Sequence, residues 1–278
     1  MLAFGMWPGA GAPVVGLHGV TASYVNFVTV ADCLAGRRPL LAFDLRGRGD
    51  ADKPEGPYGM SQHARDVAGA MRSFGLGPSV IVGHSMGGYV AMAVAAEHPE
   101  LVSAVVLVDG GIPLDLPPGI DPTQALDTML APQMARLRAT YASFDAYLDF
   151  WRALPVFAGG RWTDDVEAYL RYDLGGEPGS LRPKASEAAV RADFADTLGA
   201  DRLRERLSDA QAPVRLLLAE EGFMPGDAPL LPPAVVEREV GAMPSVSWET
   251  VPGTTHYTIA LGRPGADAVA AAILDAAS

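Results

Sequence analysis

The stretch Ser79-Val-Ile-Val-Gly83-His84-Ser85-Met86-Gly87-Gly88 carries the decisive pattern of this chain. Ser79 to Val82 is a short β-branched run of the kind that forms a buried strand. Met86 to His98 is apolar nearly all round and predicts a buried helix. Between them lies G-x-S-x-G. A serine between a strand and a helix sits in a tight turn, and glycines two before and two after it let the neighbouring backbone approach. The hydroxyl of Ser85 then stands free of the backbone. The start of the following helix adds unpaired N–H groups and the positive end of its dipole, which favour a negative oxygen formed during acyl transfer. Ser85 is therefore the candidate nucleophile. The five-residue pattern alone is weak, and the strand and helix around it supply its specificity.

Similar runs flank this turn. Val14 to Leu17 predicts a strand ending at His18-Gly19, Leu40 to Phe43 one ending at Asp44, and Ala104 to Val108 one ending at Asp109. Ser61 to Phe74 has apolar residues at helical spacing. Strands alternating with helices predict βαβ units and a parallel sheet. From Ile112 to about Leu207 the pattern changes to successive helical stretches, Phe144 to Leu154, Thr163 to Arg171 and Ser186 to Leu198, with no convincing strand. This predicts an all-helical insertion introduced by a proline-rich linker, 113–119. The sheet pattern resumes with strands at Val214 to Ala219 and Ser245 to Val251. Helices are expected at Pro232 to Met243 and about Pro264 to Ala277. The expected organisation is a core of residues 1–111 and 208–278 with a helical cap over 112–207.

Leu17-His18-Gly19-Val20, Asp44-Leu-Arg-Gly-Arg-Gly49, the Ser85 turn, Leu107-Val-Asp109 and Gly253-Thr-Thr-His256 occur in that order and resemble the α/β-hydrolase superfamily. The resemblance spans the chain outside the insertion, which looks like that family's variable cap. It implies an α/β fold, a mostly parallel sheet with helices on both faces, and a triad in chain order Ser, acid, His. It also implies an oxyanion hole formed by the backbone N–H groups of Val20 and Met86, where side-chain identity matters little.

A serine hydroxyl needs a base to remove its proton, and imidazole does so near neutral pH. His256, on the loop after the last strand, stands where the family places its base. His18 is expected to shape the oxyanion turn, His84 to fill the variable slot before Ser85, and His63 and His98 to be structural. The third member departs from the family pattern. After Val214 to Ala219 the usual order is a glycine, an acid, any residue and the triad aspartate, whereas here it is Ala219, Glu220, Glu221, Gly222. The usual acid position is glycine. Asp109, at the end of the strand after the nucleophile helix, is the leading candidate and Glu221 the alternative. The charged loop of Asp44, Arg46 and Arg48 is expected to be a structural turn.

The chain has 278 residues, 49% hydrophobic and 19% charged, with a formal net charge of −12. Such a composition buries a core, and the negative charge without a basic run argues against nucleic acid and anionic membranes as partners. Cys33 is the single cysteine, so an intrachain disulfide is excluded and it is expected to be a buried apolar residue. No metal-ligand spacing such as H-E-x-x-H occurs, and no cofactor is implied. Met1 to Pro13 lacks a basic and then apolar leader pattern, which predicts a cytoplasmic protein. It is expected to act alone or as a homodimer.

Aromatic residues and methionines in the insertion, Trp151 and Met129 among them, are numerous enough to build a lid and to roof an apolar pocket. The leading functional reading is a serine hydrolase of the carboxylesterase or lactonase type, cleaving a hydrophobic small-molecule ester or lactone through an acyl-enzyme on Ser85. Carbon–carbon bond hydrolysis on the same fold is the alternative. Outside hydrolysis stand a non-catalytic ligand-binding protein on this scaffold, and an isomerase or cyclase using His256 as a base.

Overall fold

The computed structural model describes residues 1–114, 119 and 121–277. Its strands are β1 (Phe4–Trp7), β2 (Val14–Leu17), β3 (Leu40–Phe43), β4 (Ser79–His84), β5 (Val102–Val108), β6 (Leu174–Gly175), β7 (Arg182–Pro183), β8 (Val214–Ala219) and β9 (Val246–Val251). The helices of the first half are α1 (Val28–Leu34), α2 (Met60–Ser73) and α3 (Met86–Glu97). Those between β5 and β8 are α4 (Pro122–Met129), α5 (Ala131–Arg138), α6 (Phe144–Arg152), α7 (Asp164–Asp173), α8 (Glu187–Thr197) and α9 (Ala200–Asp209). Beyond them come α10 (Pro233–Val240), α11 (Thr258–Leu261) and α12 (Gly265–Ala276).

Seven strands form one sheet in the order β1-β3-β2-β4-β5-β8-β9, parallel except for the antiparallel β1–β3 pair. Side chains alternate across it. Val15, Leu17, Leu41, Phe43, Val105 and Leu107 pack with α2, α3 and α10 on one face. Val14, Leu40, Ala42, Ala104, Val106 and Val108 pack with α1 and α12 on the other. Because both faces are covered, the strands read in sequence as near-continuous apolar runs. Leu203 and Leu207 of α9, within the stretch 112–207, join the first of these clusters. No helix among the described residues is long and apolar enough to cross a membrane.

One strand was missed and one expectation needs correction. Strand β1 has no counterpart in the sequence pattern: Phe-Gly-Met-Trp is a short edge segment whose residues alternate between exposed and half-buried, so it lacks the apolar run that marks a buried strand. The insertion is also not all helical. Leu174–Gly175 pairs with Arg182–Pro183, and an isolated bridge joins Tyr141 to Leu181. Pairs of two residues are too short to leave a periodic signal. Of the proline-rich linker, residues 115–118 lie outside the described residues.

The layers meet most tightly around β4. A Cβ on Gly87 would lie 1.9 Å from the Leu17 carbonyl oxygen of β2, and one on Gly83 would lie 2.2 Å from the Gly87 carbonyl oxygen. Gly69, inside α2, has nothing within 4 Å of its Cβ position. Gly87→Ala is therefore expected to lower the unfolding free energy by about 1–3 kcal/mol or more through overpacking. Gly69→Ala should raise it by about 0.5–1 kcal/mol by removing backbone freedom from a helix interior. Urea denaturation of the two variants checks both signs.

Candidate active site

Strand β4 delivers Ser85 at its carboxyl end, where the residue adopts φ 54° and ψ −123°. Such a backbone is costly for a residue with a side chain, and here its surroundings hold it. Ser85 N–H donates to Val108 O at 2.9 Å, Gly88 N–H donates to Ser85 O at 2.9 Å, and Gly110 lies so close that a Cβ on it would meet Ser85 O at 2.2 Å. The serine heads α3, so the N–H of Met86 has no intrahelical acceptor.

Asp109 ends β5 beside this turn, again at positive φ (48°). Its N–H donates to Leu217 O at 2.8 Å, and its Oδ1 accepts from Ala219 N–H at 3.2 Å, so β8 clamps it from both ends. Its Oδ2 accepts from His256 Nδ1–H at 2.6 Å. Both side chains are buried. With the proton on Nδ1, the other ring nitrogen of His256 is left free to accept a proton. Glu221, the alternative acid, points elsewhere: its Oε1 accepts from Gly226 N–H at 3.0 Å within its own loop. Ser85, His256 and Asp109 line one cavity together with Val20 and Met86.

Two further histidines support these groups. His84 lines the same cavity, donates Nε2–H to the carbonyl oxygen of His256 at 2.8 Å, and accepts at Nδ1 from Asn26 Nδ2 at 3.2 Å. It thus fixes the backbone of His256 rather than its ring, a role beyond filling a slot in the turn. His18 donates Nδ1–H to Gly19 O at 2.8 Å and accepts Leu45 N–H at Nε2 at 2.9 Å. Gly19 C=O and Val20 N–H belong to one peptide group, so His18 orients the amide expected to bind an oxyanion. Burial above all keeps both rings neutral: His84 is held well below the usual imidazole range, and His18 is lowered to about 3.

The charged turn stays outside the cavity. Asp44 accepts from Tyr24 N–H and Asp50 N–H, each at 2.8 Å, and from Tyr172 OH at 2.6 Å, while burial raises its pKa. Arg46 pairs with Asp66 through two bonds of 2.6 and 2.7 Å. Arg48 does more than complete a turn. Fully buried, it donates Nε–H to Val20 O at 3.0 Å, places Nη2 3.7 Å from Met86 Sδ, and pairs with Asp193 of α8. Asp193 also bonds His63 Nε2 at 2.9 Å and Gly59 N–H at 2.6 Å. One ion-paired cluster therefore ties the insertion to both residues of the expected oxyanion hole. No local signal announces it, since Arg48 and Asp193 are 145 residues apart.

The remaining wall is mostly apolar, with Leu114, Met129, Leu130, Phe194, Phe223 and Leu230 around it. Phe223 stands against the His256 ring with centroids 4.8 Å apart.

Asp109→Asn is expected to reduce kcat by roughly 10⁴-fold, as loss of the orienting carboxylate does in a serine triad. Glu221→Gln should leave kcat unchanged, and steady-state kinetics of the two variants decides between the acids. The buried histidines also set a pH dependence of stability. Unfolded, His18 and His84 titrate near pH 6.5; folded, both stay neutral far below it, so the unfolded chain binds more protons in that range. Their contribution is complete above about pH 6.5 and is lost as the pH falls, by up to about 1.4 kcal/mol per pH unit for each ring. Urea unfolding between about pH 7 and 5 should show this slope, and His18→Gln should remove one ring's share of it.

Comparison with known proteins gives a consistent answer. Residues 12–156 match a family model described as the alpha/beta hydrolase fold. The chain is 31% identical over 253 residues to the 2-(acetamidomethylene)succinate hydrolase of Mesorhizobium japonicum, a match covering 90% of this chain and 83% of that one. It is 31% identical over 222 residues to the 2-hydroxymuconate semialdehyde hydrolase of Pseudomonas sp. strain CF600, covering 75% and 67%. A crystal structure of E-2-(acetamidomethylene)succinate hydrolase superposes with a TM-score of 0.76 at 27% identity, over 96% of this chain and 92% of the other. With a strained serine at the head of α3, an aspartate-bound histidine lining the same cavity and these relatives, the chain belongs to the α/β-hydrolase family of hydrolases.

Proposed function

We propose that this protein hydrolyses a hydrophobic small molecule by transferring an acyl group to Ser85 and then to water. The observation that carries the proposal is the Asp109–His256 hydrogen bond in the cavity that Ser85 lines. His256 takes the Ser85 proton as the hydroxyl oxygen attacks the substrate's carbonyl carbon, and Asp109 stabilises the imidazolium so formed. The N–H groups of Val20 and Met86 receive the oxyanion. As the tetrahedral species collapses, His256 returns the proton to the leaving group, and water activated by the same ring releases the acid. Residues 112–207 act as the cap that supplies much of the apolar wall and excludes water from the acyl-enzyme.

For the bond cleaved, a carboxylic ester or lactone fits the apolar wall. A specific observation supports the second reading, carbon–carbon bond hydrolysis. A 2-hydroxymuconate semialdehyde contains neither ester nor amide, so its hydrolysis must break a carbon–carbon bond, whereas a 2-(acetamidomethylene)succinate carries an acetamide whose C–N bond can be hydrolysed. The name of the 2-hydroxymuconate semialdehyde hydrolase thus weighs toward the carbon–carbon reading. Both readings use the same acyl-Ser85 and differ in whether oxygen or carbon leaves with the His256 proton.

Incubation with a fluorophosphonate should add one label per chain, seen by intact-protein mass spectrometry and absent from Ser85→Ala. Turnover of aryl esters with a kcat that falls by at least about 10³-fold in that variant supports the ester reading. Turnover confined to vinylogous diketones supports the carbon–carbon reading. Saturable binding with neither label nor turnover would return the protein to a ligand-binding role.

A further inference from the structure

Gln133 of α5 lines the cavity at 7% exposure, and its carboxamide is incompletely bonded. Nε2 donates to Tyr257 OH at 3.5 Å, while the buried Oε1 has no hydrogen-bond partner. Three polar side chains around it have their partners within the protein. Thr197 Oγ1 donates to Phe194 O at 2.7 Å, Tyr89 OH donates to Ile112 O at 2.9 Å, and both nitrogens of His84 are occupied. A buried acceptor without a donor is destabilising, and a ligand donor meeting it would recover that loss.

Charge narrows the ligand further. No lysine or arginine is among the described residues that line the cavity. Arg136, three residues along α5, bonds Tyr147 OH at 2.6 Å and is ion-paired with Asp173, which balances its charge. A carboxylate brought to this wall would lose its water, face the lone pairs of Gln133 Oε1 and gain no free cation.

We propose that Gln133 Oε1 is a specificity-determining acceptor for a hydroxyl or amide N–H on the substrate, so that the preferred substrate is an uncharged acyl compound with one neutral donor. The 2-(acetamidomethylene)succinate named for the similar hydrolase carries two carboxylates, and this cavity offers them no cation. The proposal rests on the reading of Ser85 as the acylated nucleophile, which places the substrate in this cavity.

Calorimetric binding to Ser85→Ala protein tests it without requiring turnover. The probes are methyl esters of graded acyl length ending in a hydroxyl, a methyl, a ketone or a carboxylate. At one chain length the hydroxyl ester should bind roughly tenfold more tightly than the methyl ester, the worth of one hydrogen bond. The ketone, which only accepts, should gain nothing, and the carboxylate should bind most weakly. Adding Gln133→Leu, or Gln133→Met if the first variant is unstable, should equalise hydroxyl and methyl esters. In the wild-type background the Gln133 variants should still take the fluorophosphonate label. Equal binding of hydroxyl and methyl esters at every length, tightest binding of the carboxylate or ketone, or no binding by any member would overturn the proposal. A hydroxyl preference that depends on Gln133, in a protein whose Ser85 takes no label, would instead sink the acyl-enzyme reading and leave the recognition site standing.

Discussion

The backbone of Ser85, forced to φ 54° at the junction of β4 and α3, is the constraint on which the rest of this structure depends. It survives because three glycines let other backbone segments crowd it. Gly83 packs against the Gly87 carbonyl, Gly87 against β2, and Gly110 against Ser85 itself. The same crowding sets the chemistry. It turns the serine out of the strand, brings the first N–H of α3 next to it, and leaves Asp109 at the matching end of the neighbouring strand.

Around that junction, buried polar groups stabilise geometry rather than carry out chemistry. His18 and His84 resemble catalytic imidazoles in their position, but each has both ring nitrogens bonded and is kept neutral by burial. One holds the peptide that presents Val20 N–H, and the other holds the carbonyl of His256. Arg48 and Asp193 carry the same logic across the insertion: a fully buried ion pair is stable only with near-complete hydrogen bonding, and here the bonds run to Val20 O, Gly59 N–H and His63. Helix α8 is thereby coupled to the oxyanion turn, and Phe194 and Thr197 of the same helix line the cavity.

Much of this was legible before any coordinates. The Ser85 turn, the strands on either side of it and the place of His256 follow from patterns within about ten residues, where steric rules act locally. Strand β1 was not legible, because an exposed antiparallel edge needs no apolar run. The small sheet of β6 and β7 was not, because two-residue pairs have no period. Nor was the choice between Asp109 and Glu221, since each carboxylate follows a strand of the same sheet and differs only in which way its side chain points.

By itself, then, the sequence determined the family and the mostly parallel sheet and singled out Ser85 and His256 as candidate nucleophile and base, because glycine placement and apolar periodicity encode backbone geometry directly. Only the tertiary structure decided that Asp109 holds His256, that His84 and His18 are neutral braces, that Arg48 reaches Val20 and Met86, and that Gln133 brings an unpartnered acceptor to the cavity wall. Those assignments depend on directions and distances between residues brought together from far along the chain, and pairwise contact of that kind leaves no mark in local composition or spacing.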